Sequence, residues 1–168
     1  MNPSLDKLDK FKSLSELRRT IAAEKAKGKT VVLANGCFDF IHVGHIRYLR
    51  AAKAKGDVLV VALNSDSSVR RLKGEGRPIL PQKERAEILA AFSFVDYVTI
   101  FSESMVTKVL LALKPDIHVK GSDYSKETVP EKDTVKAYGG RVAIVGGPKI
   151  RNTSQVIGDI AIRMKKET

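Results

Sequence analysis

Apolar positions along this chain switch repeatedly between two periods. Between Ser13 and Gly28, Leu14, Leu17, Ile21 and Ala22 recur at helical spacing and a glycine closes the run, which predicts an amphipathic helix. Thr30 to Ala34 is then a short β-branched run of strand type. Ile46 to Lys55 returns to helical spacing, Gly56 stops it, and Val58 to Leu63 is a second apolar run of strand length. Strand, helix, strand is the βαβ unit.

The alternation continues with a helix at Gln82 to Phe92, a strand at Tyr97 to Phe101, a helix at Ser104 to Leu113 capped by Ser104, and a strand at Ile117 to Val119. A helix around Glu131 to Tyr138, a strand at Val142 to Val145 and a last helix from Ser154 follow. The pattern predicts an α/β fold: a Rossmann-like, doubly wound parallel sheet of about five strands with helices on both faces. It is expected to form a single domain over residues 1–168, with residues 1–29 as a helical extension packed on it. Ligands of such sheets sit at the carboxyl ends of the strands. Lys73 to Pro81, rich in Gly, Pro and charge, reads as a mobile loop.

Composition narrows the class. A hydrophobic fraction of 43% with 29% charged residues belongs to an ordinary globular protein. The longest apolar stretch, Val58 to Leu63, is far shorter than the ~20 residues that span a bilayer, and Met1 to Lys12 is too charged for a secretory signal. A cytoplasmic location and no membrane partner are therefore expected. Cys37 is the single cysteine, so neither an internal disulfide nor a structural zinc site is expected. The net charge of +11 invites nucleic acid, but the basic residues are scattered, and four Tyr with six Phe form no evident stacking platform. An anionic small molecule is the expected partner instead, with no nucleic acid.

The chemistry concentrates in Asn35-Gly36-Cys37-Phe38-Asp39-Phe40-Ile41-His42-Val43-Gly44-His45, directly after the first strand and opening the next helix. His42 and His45 share a face at a helix start, where free N–H groups and the positive end of the dipole also lie. That combination makes an anion site suited to a polyphosphate. Gly44 and Gly36 leave room for a ligand to approach the backbone. Two readings of Asp39 stay open: a helix cap or substrate contact, or a metal ligand beside the two histidines. Cys37 reads as a small buried residue rather than a nucleophile, because no partner group stands at catalytic spacing.

Gly36-x-Phe38-Asp39-x-x-His42-x-Gly44-His45 resembles the signature of the cytidylyltransferase-like branch of the HxGH nucleotidyltransferases. In that family the histidines contact the triphosphate and stabilise the α-phosphorus while a substrate phosphate attacks in line and Mg-pyrophosphate leaves. The resemblance runs over nearly the whole chain and is closest to the D-glycero-β-D-manno-heptose 1-phosphate adenylyltransferases of lipopolysaccharide precursor synthesis. It rests also on Ser15-Glu16-Leu17, Gly28-Lys29, Ala62-Leu63-Asn64-Ser65-Asp66, Arg71-Leu72-Lys73-Gly74 with Arg77-Pro78, and Val119-Lys120-Gly121-Ser122-Asp123-Tyr124. Ser93-Phe94-Val95-Asp96 stands where the cytidylyltransferases carry Arg-Tyr-Val-Asp, and Gly147 to Ser154 stands where they carry Arg-Thr-x-Gly-Ile-Ser-Thr, without an arginine at that run's first position. Asn152-Thr153-Ser154 is similar to the Ser-Thr-Thr that opens the family's last helix.

The resemblance implies an enzyme with ATP and a sugar phosphate as partners, Mg²⁺ arriving with the nucleotide, no dedicated protein metal site, and a homodimer. It implies catalytic roles for His42, His45 and Lys73. Nucleotide contacts are expected from Asn35, Gly36, Cys37, Phe38, Gly44, Lys120, Gly121, Asp123, Thr153 and Ser154, and substrate contacts from Asp39, Asn64, Asp66 and Arg77. A chain of this length does not also hold the sugar kinase fused to some family members. The alternatives are a transferase using CTP with glycerol 3-phosphate, and a basic nucleotide- or RNA-binding module without catalysis.

Overall fold

The computed structural model describes residues 9–147 and 153–164, with the side chains of residues 154 and 161 left aside. Helix α1 (Leu14–Ala26) precedes β1 (Val31–Gly36), α2 (Val43–Lys53), β2 (Val58–Asn64), α3 (Asp66–Lys73), α4 (Gln82–Ala91) and β3 (Tyr97–Phe101). Then come α5 (Thr107–Leu113), β4 (Ile117–Gly121), α6 (Lys132–Ala137), β5 (Arg141–Val145) and α7 (Thr153–Met164). The strands form one parallel sheet in the order β3-β2-β1-β4-β5. The chain thus winds outward from β1 in one direction and restarts at β4 in the other, which leaves a crevice between the carboxyl ends of β1 and β4.

Both sheet faces are covered, as the continuous apolar strands require. Val32, Ala34, Leu59 and Val61 face Leu49 and Ala52 of α2 and Ala86 and Leu89 of α4. Their neighbours Val31, Leu33, Val58 and Val60 face Leu17 and Ile21 of α1, Val109 and Leu110 of α5, and Val135 of α6. Helix α1 therefore contributes directly to the second core layer. Ahead of it, Lys10 and Lys12 exchange backbone hydrogen bonds with Val98 and so cover the outer edge of β3. Among the described residues no helix is long and apolar enough to cross a membrane.

Three elements differ from the sequence expectation, each for a local reason. Helix α2 begins at Val43 rather than Ile46, because His42 acts as its cap. Helix α5 begins at Thr107 rather than after Ser104, and its cap position, Val106, makes no side-chain cap bond. Arg71 and Ser68 of α3 capture the carbonyls of Ser102 and Glu103, which holds that stretch out of the helix. Helix α3 itself was not anticipated. It buries only Ser68 and Val69, so its apolar period is faint. Its signals were the Ser65 cap, Asp66 in the first turn, basic residues in the last turn and Gly74 after it.

The residue that joins these parts is Arg85, fully buried in α4. Its guanidinium donates to the carbonyls of Cys37 at 2.5 Å, Asn64 at 2.9 Å and Leu80 at 2.9 Å, and to the Asp66 carboxylate at 2.7 Å. One side chain thereby fixes the exits of β1 and β2, the start of α3 and the approach to α4. Arg85→Met keeps much of the volume and none of the donors, so it is expected to lower the unfolding free energy by about 3–5 kcal/mol. Urea unfolding would measure this, and a loss below about 1 kcal/mol would show that the freed carbonyls find other partners.

Candidate active site

The turn from β1 into α2 is built around an imidazole cap. His42 holds an extended backbone at the cap position, and its Nδ1 accepts the Gly44 N–H at 3.1 Å. Nδ1 of His45 accepts the His42 N–H at 3.4 Å, which completes a reciprocal cap. Since both Nδ1 atoms act as acceptors, each neutral ring carries its proton on Nε2. The rings lie 4.0 Å apart between centroids, at an angle of 31°. Phe38, at φ 44°, sets its ring edge-on against His45 at 5.2 Å. A Cβ on Gly36 would lie 3.1 Å from that ring, so the glycine makes room for the aromatic buttress.

Burial sets the charge of the pair. It lowers the His42 pKa, and it brings His45 down to about 4 with help from the neighbouring His42. Both rings are therefore neutral Nε2–H donors at neutral pH in the free protein. An incoming polyphosphate would favour their charged forms. Cys37 is half-buried, and burial pushes its thiol up, so it is not poised as a thiolate nucleophile.

In front of this turn lies a cavity of about 480 Å³, within the usual range of roughly 300–1,000 Å³ for small-molecule sites. Asn35, Gly36, Cys37, Phe38, Asp39, His42, Gly44 and His45 line one side. Lys120, Gly121 and Asp123, at and beyond the end of β4, line the other, with Lys73, Arg77 and Thr153 at the margins. The crevice between β1 and β4 thus brings together segments that are remote in sequence. Tyr48 of α2 ties the two sides by donating its hydroxyl to the Val119 carbonyl at 2.9 Å. Gly146, at φ 99°, passes so close that a Cβ there would lie 3.3 Å from the Tyr48 Cα. Thr153 opens α7 and donates to the Phe40 carbonyl at 3.4 Å. Asn152 and the side chain of Ser154 lie outside the described residues.

Not every expected substrate residue reaches the cavity. Asn64 is buried and donates to Ser68 Oγ at 2.9 Å, while Asp66 is held by Arg85 at 2.7 Å; both side chains are engaged in shaping the β2–α3 turn. Asp39 and Arg77 do line the wall, yet they bind one another. The buried Asp39 carboxylate accepts from Arg77 Nε at 2.5 Å, Ile79 N–H at 2.6 Å and Leu80 N–H at 3.2 Å. Its observed role is to anchor the stretch after α3 to the crest. Arg47, Tyr48 and Gly146 also line the cavity, and sequence reasoning missed them. For Tyr48 the signal was its three-residue spacing from His45, and for Arg47 its three-residue spacing from Gly44.

A βα turn with paired imidazole donors, a glycine-cleared strand end and a basic cavity is the setting in which the comparisons with known proteins carry weight. Residues 33–161 match the Cytidylyltransferase-like family. This chain belongs to that family. The match spans the cavity from the end of β1 to α7, so each wall described above lies within the family region. Among curated proteins, the "Bifunctional protein HldE" of Geobacter metallireducens is 53% identical over 151 residues, covering 90% of this chain and 31% of that protein. That of Syntrophotalea carbinolica is 48% identical over 157 residues, covering 94% and 32%. The chain therefore spans about a third of the length of these relatives. Among solved structures, a lipopolysaccharide core biosynthesis protein from Thermoplasma volcanium is 31% identical with a TM-score of 0.62, covering 74% of this chain and 100% of that one.

The depressed histidines give this cytidylyltransferase-like chain a pH signature. A histidine whose folded pKa lies below its unfolded value contributes stability above the unfolded pKa and loses it as pH falls through the folded one. Stability is thus expected to decline from about pH 6.5 toward the His45 value of about 4. His45→Asn should flatten that slope in urea midpoints measured across the same window. An unchanged slope would mean that His45 does not titrate as its burial requires.

Proposed function

We propose that this chain is a nucleotidyltransferase that moves AMP from ATP to D-glycero-β-D-manno-heptose 1-phosphate, releasing pyrophosphate and forming ADP-heptose for lipopolysaccharide core precursors. The observation that carries the reading is the imidazole pair at the start of α2, two neutral Nε2–H donors facing a cavity rimmed by Lys73, Arg77 and Lys120. The names of the relatives and of the Thermoplasma structure support the pathway.

In this reading the triphosphate lies along the crest, with His42 and His45 donating to oxygens whose negative charge grows as the α-phosphorus becomes five-coordinate. The cap bonds at Nδ1 orient both donors before substrate arrives, so little reorganisation accompanies the reaction. An oxygen of the sugar phosphate forms the new bond to the α-phosphorus, and the bond to the pyrophosphate oxygen breaks. That oxygen is already anionic near neutral pH, so no strong general base is required. Lys73 and Arg77 stand at the margin where the leaving pyrophosphate would gather charge. Among the described residues no group of three His, Cys, Asp or Glu side chains is arranged to hold a metal. In this reading Mg²⁺ arrives with the ATP substrate, carried by its phosphates, where it would offset the charge of the leaving group.

Pyrophosphate release with Mg²⁺ tests the reading directly, comparing ATP with CTP and heptose 1-phosphate with glycerol 3-phosphate. Release confined to ATP with the heptose is the expected result; release confined to CTP with glycerol 3-phosphate would replace the substrates while keeping the site. His42→Ala is expected to lower kcat by roughly 100- to 1,000-fold while the unfolding free energy falls only by the lost cap, about 0.5–2 kcal/mol. Retained turnover in that variant would remove the histidine pair from the chemistry.

A further inference from the structure

Behind the cavity wall lies a buried polar chain that no motif includes. Lys120, at the end of β4, is 8% exposed and Glu131, at the cap position of α6, is 4% exposed. The Lys120 ammonium donates to Asn35 Oδ1 at 2.9 Å and stands 3.3 and 3.4 Å from the two Glu131 oxygens. His118, fully buried two residues earlier on β4, completes the chain. Its Nδ1 lies 3.2 Å from the Leu33 carbonyl, which can only accept, so Nδ1 carries the proton. Its Nε2 then faces Glu131 Oε2 at 3.7 Å, and neither atom has another hydrogen-bond partner.

We propose that Glu131 is a positioning residue for the reaction: it supplies the buried counter-charge that holds the Lys120 ammonium against Asn35 in the cavity wall. The inference rests on the nucleotide occupying that cavity. Among the described residues Glu131 is the carboxylate seen in contact with Lys120, and a buried ammonium without a counter-charge sheds its proton. Burial pulls the Lys120 pKa down and Glu131 opposes it. On Glu131 burial acts upward, while the Lys120 ammonium at 3.3 Å acts downward and keeps the carboxylate ionised beside it. Neutral His118 offers Glu131 a lone pair rather than a proton, so it cannot replace Lys120 as partner.

The groups facing Lys120 can be named element by element. Helix α6 contributes Glu131, β4 contributes His118, and β1 contributes the uncharged Asn35. The loop after β4 contributes the Tyr124 ring at 5.5 Å, and the paired position on β5 is the uncharged Ile144. Arg47 and Tyr48 of α2, with Asp123, line the same cavity. Glu131 therefore supplies the negative charge in direct contact with the ammonium.

Glu131→Gln separates charge from packing. The amide oxygen can still accept from Lys120 and the amide N–H can donate to His118 Nε2, so the variant is expected to fold, with a lower unfolding midpoint that reflects the lost counter-charge. Lysine side-chain NMR should show Lys120 titrating at lower pH than in the wild type. MgATP affinity by calorimetry should fall by roughly tenfold or more, with the loss growing from pH 7 to pH 9. In a Lys120→Gln background, adding Glu131→Gln should cost no further affinity. Glu131→Asp should restore part of the loss. An unmoved Lys120 titration in Glu131→Gln would overturn the proposal, as would an equal loss of affinity in both backgrounds. Wild-type MgATP affinity in Lys120→Gln alone would instead remove Lys120 from nucleotide binding, while the NMR titration still decides the role of Glu131.

Discussion

The site depends first on a buried cation that does not line its cavity. Arg85 accepts no solvent and satisfies three carbonyls where regular structure ends: Cys37 after β1, Asn64 at the end of β2 and Leu80 before α4. Strand ends that turn toward a ligand leave carbonyls without ladder partners, and burying them unpaired is costly. A guanidinium is suited to the task because its rigid fork serves several acceptors at once. The Asp66 carboxylate beside it balances the charge. Asp39 performs the converse service on the same stretch, accepting the N–H groups of Ile79 and Leu80. Leu80 is thus held by its carbonyl from one side and its amide from the other.

With the scaffold fixed in this way, the histidines can be held without being charged. Each Nδ1 is committed to a backbone N–H, and Phe38 packs edge-on against the half-buried His45. Two imidazolium rings with centroids 4.0 Å apart would repel each other. Neutral donors avoid that repulsion until an anion arrives to favour the charged form. The basic side chains of the free site stand on separate segments, Lys73 on α3, Arg77 after it beside Asp39, and Lys120 on β4 beside Glu131. Distribution over three segments lets the cavity be basic without clustering like charges, and it gives the net charge of +11 a local use for an anionic small molecule.

The sequence made the fold class legible because apolar runs of strand length alternate with helical spacing from Thr30 to Val145. It made the crest legible because paired histidines and glycines fall in a single βα turn. Strand order was not legible: nothing local says that β4 rather than β3 lies beside β1, since that choice is made by packing over both faces. Helix α3 escaped because a short exposed helix has little apolar period to show. Asn64 and Asp66 were misplaced toward the substrate for a related reason. A polar cluster at a strand end reads as a binding loop, but here those side chains answer to Ser68 and Arg85. Arg85 was unreadable as a hub, because a charged residue in a helix is ordinarily a solvated one.

The two walls of the crevice differ in how they are joined. Between β1 and β4 the connection is doubly specified: Lys120 reaches Asn35, and Tyr48 reaches the Val119 carbonyl. Both bonds cross from one strand end to the other side of the cavity, so the spacing between the histidine crest and the β4 loop is set by the folded core. The outer walls are attached through loop segments instead of strand ends. The stretch after α3 hangs on Asp39, and the start of α7 on a 3.4 Å bond from Thr153 to Phe40. In the nucleotidyl transfer proposed above, such a division would place the strand-end floor beneath the reacting phosphorus and loop-borne groups around the leaving pyrophosphate. The basic residues follow the same division. Lys120 is packed into the floor with its own buried counter-charge, whereas Lys73 is carried at the last residue of α3, where a short segment can adjust to the phosphates it meets.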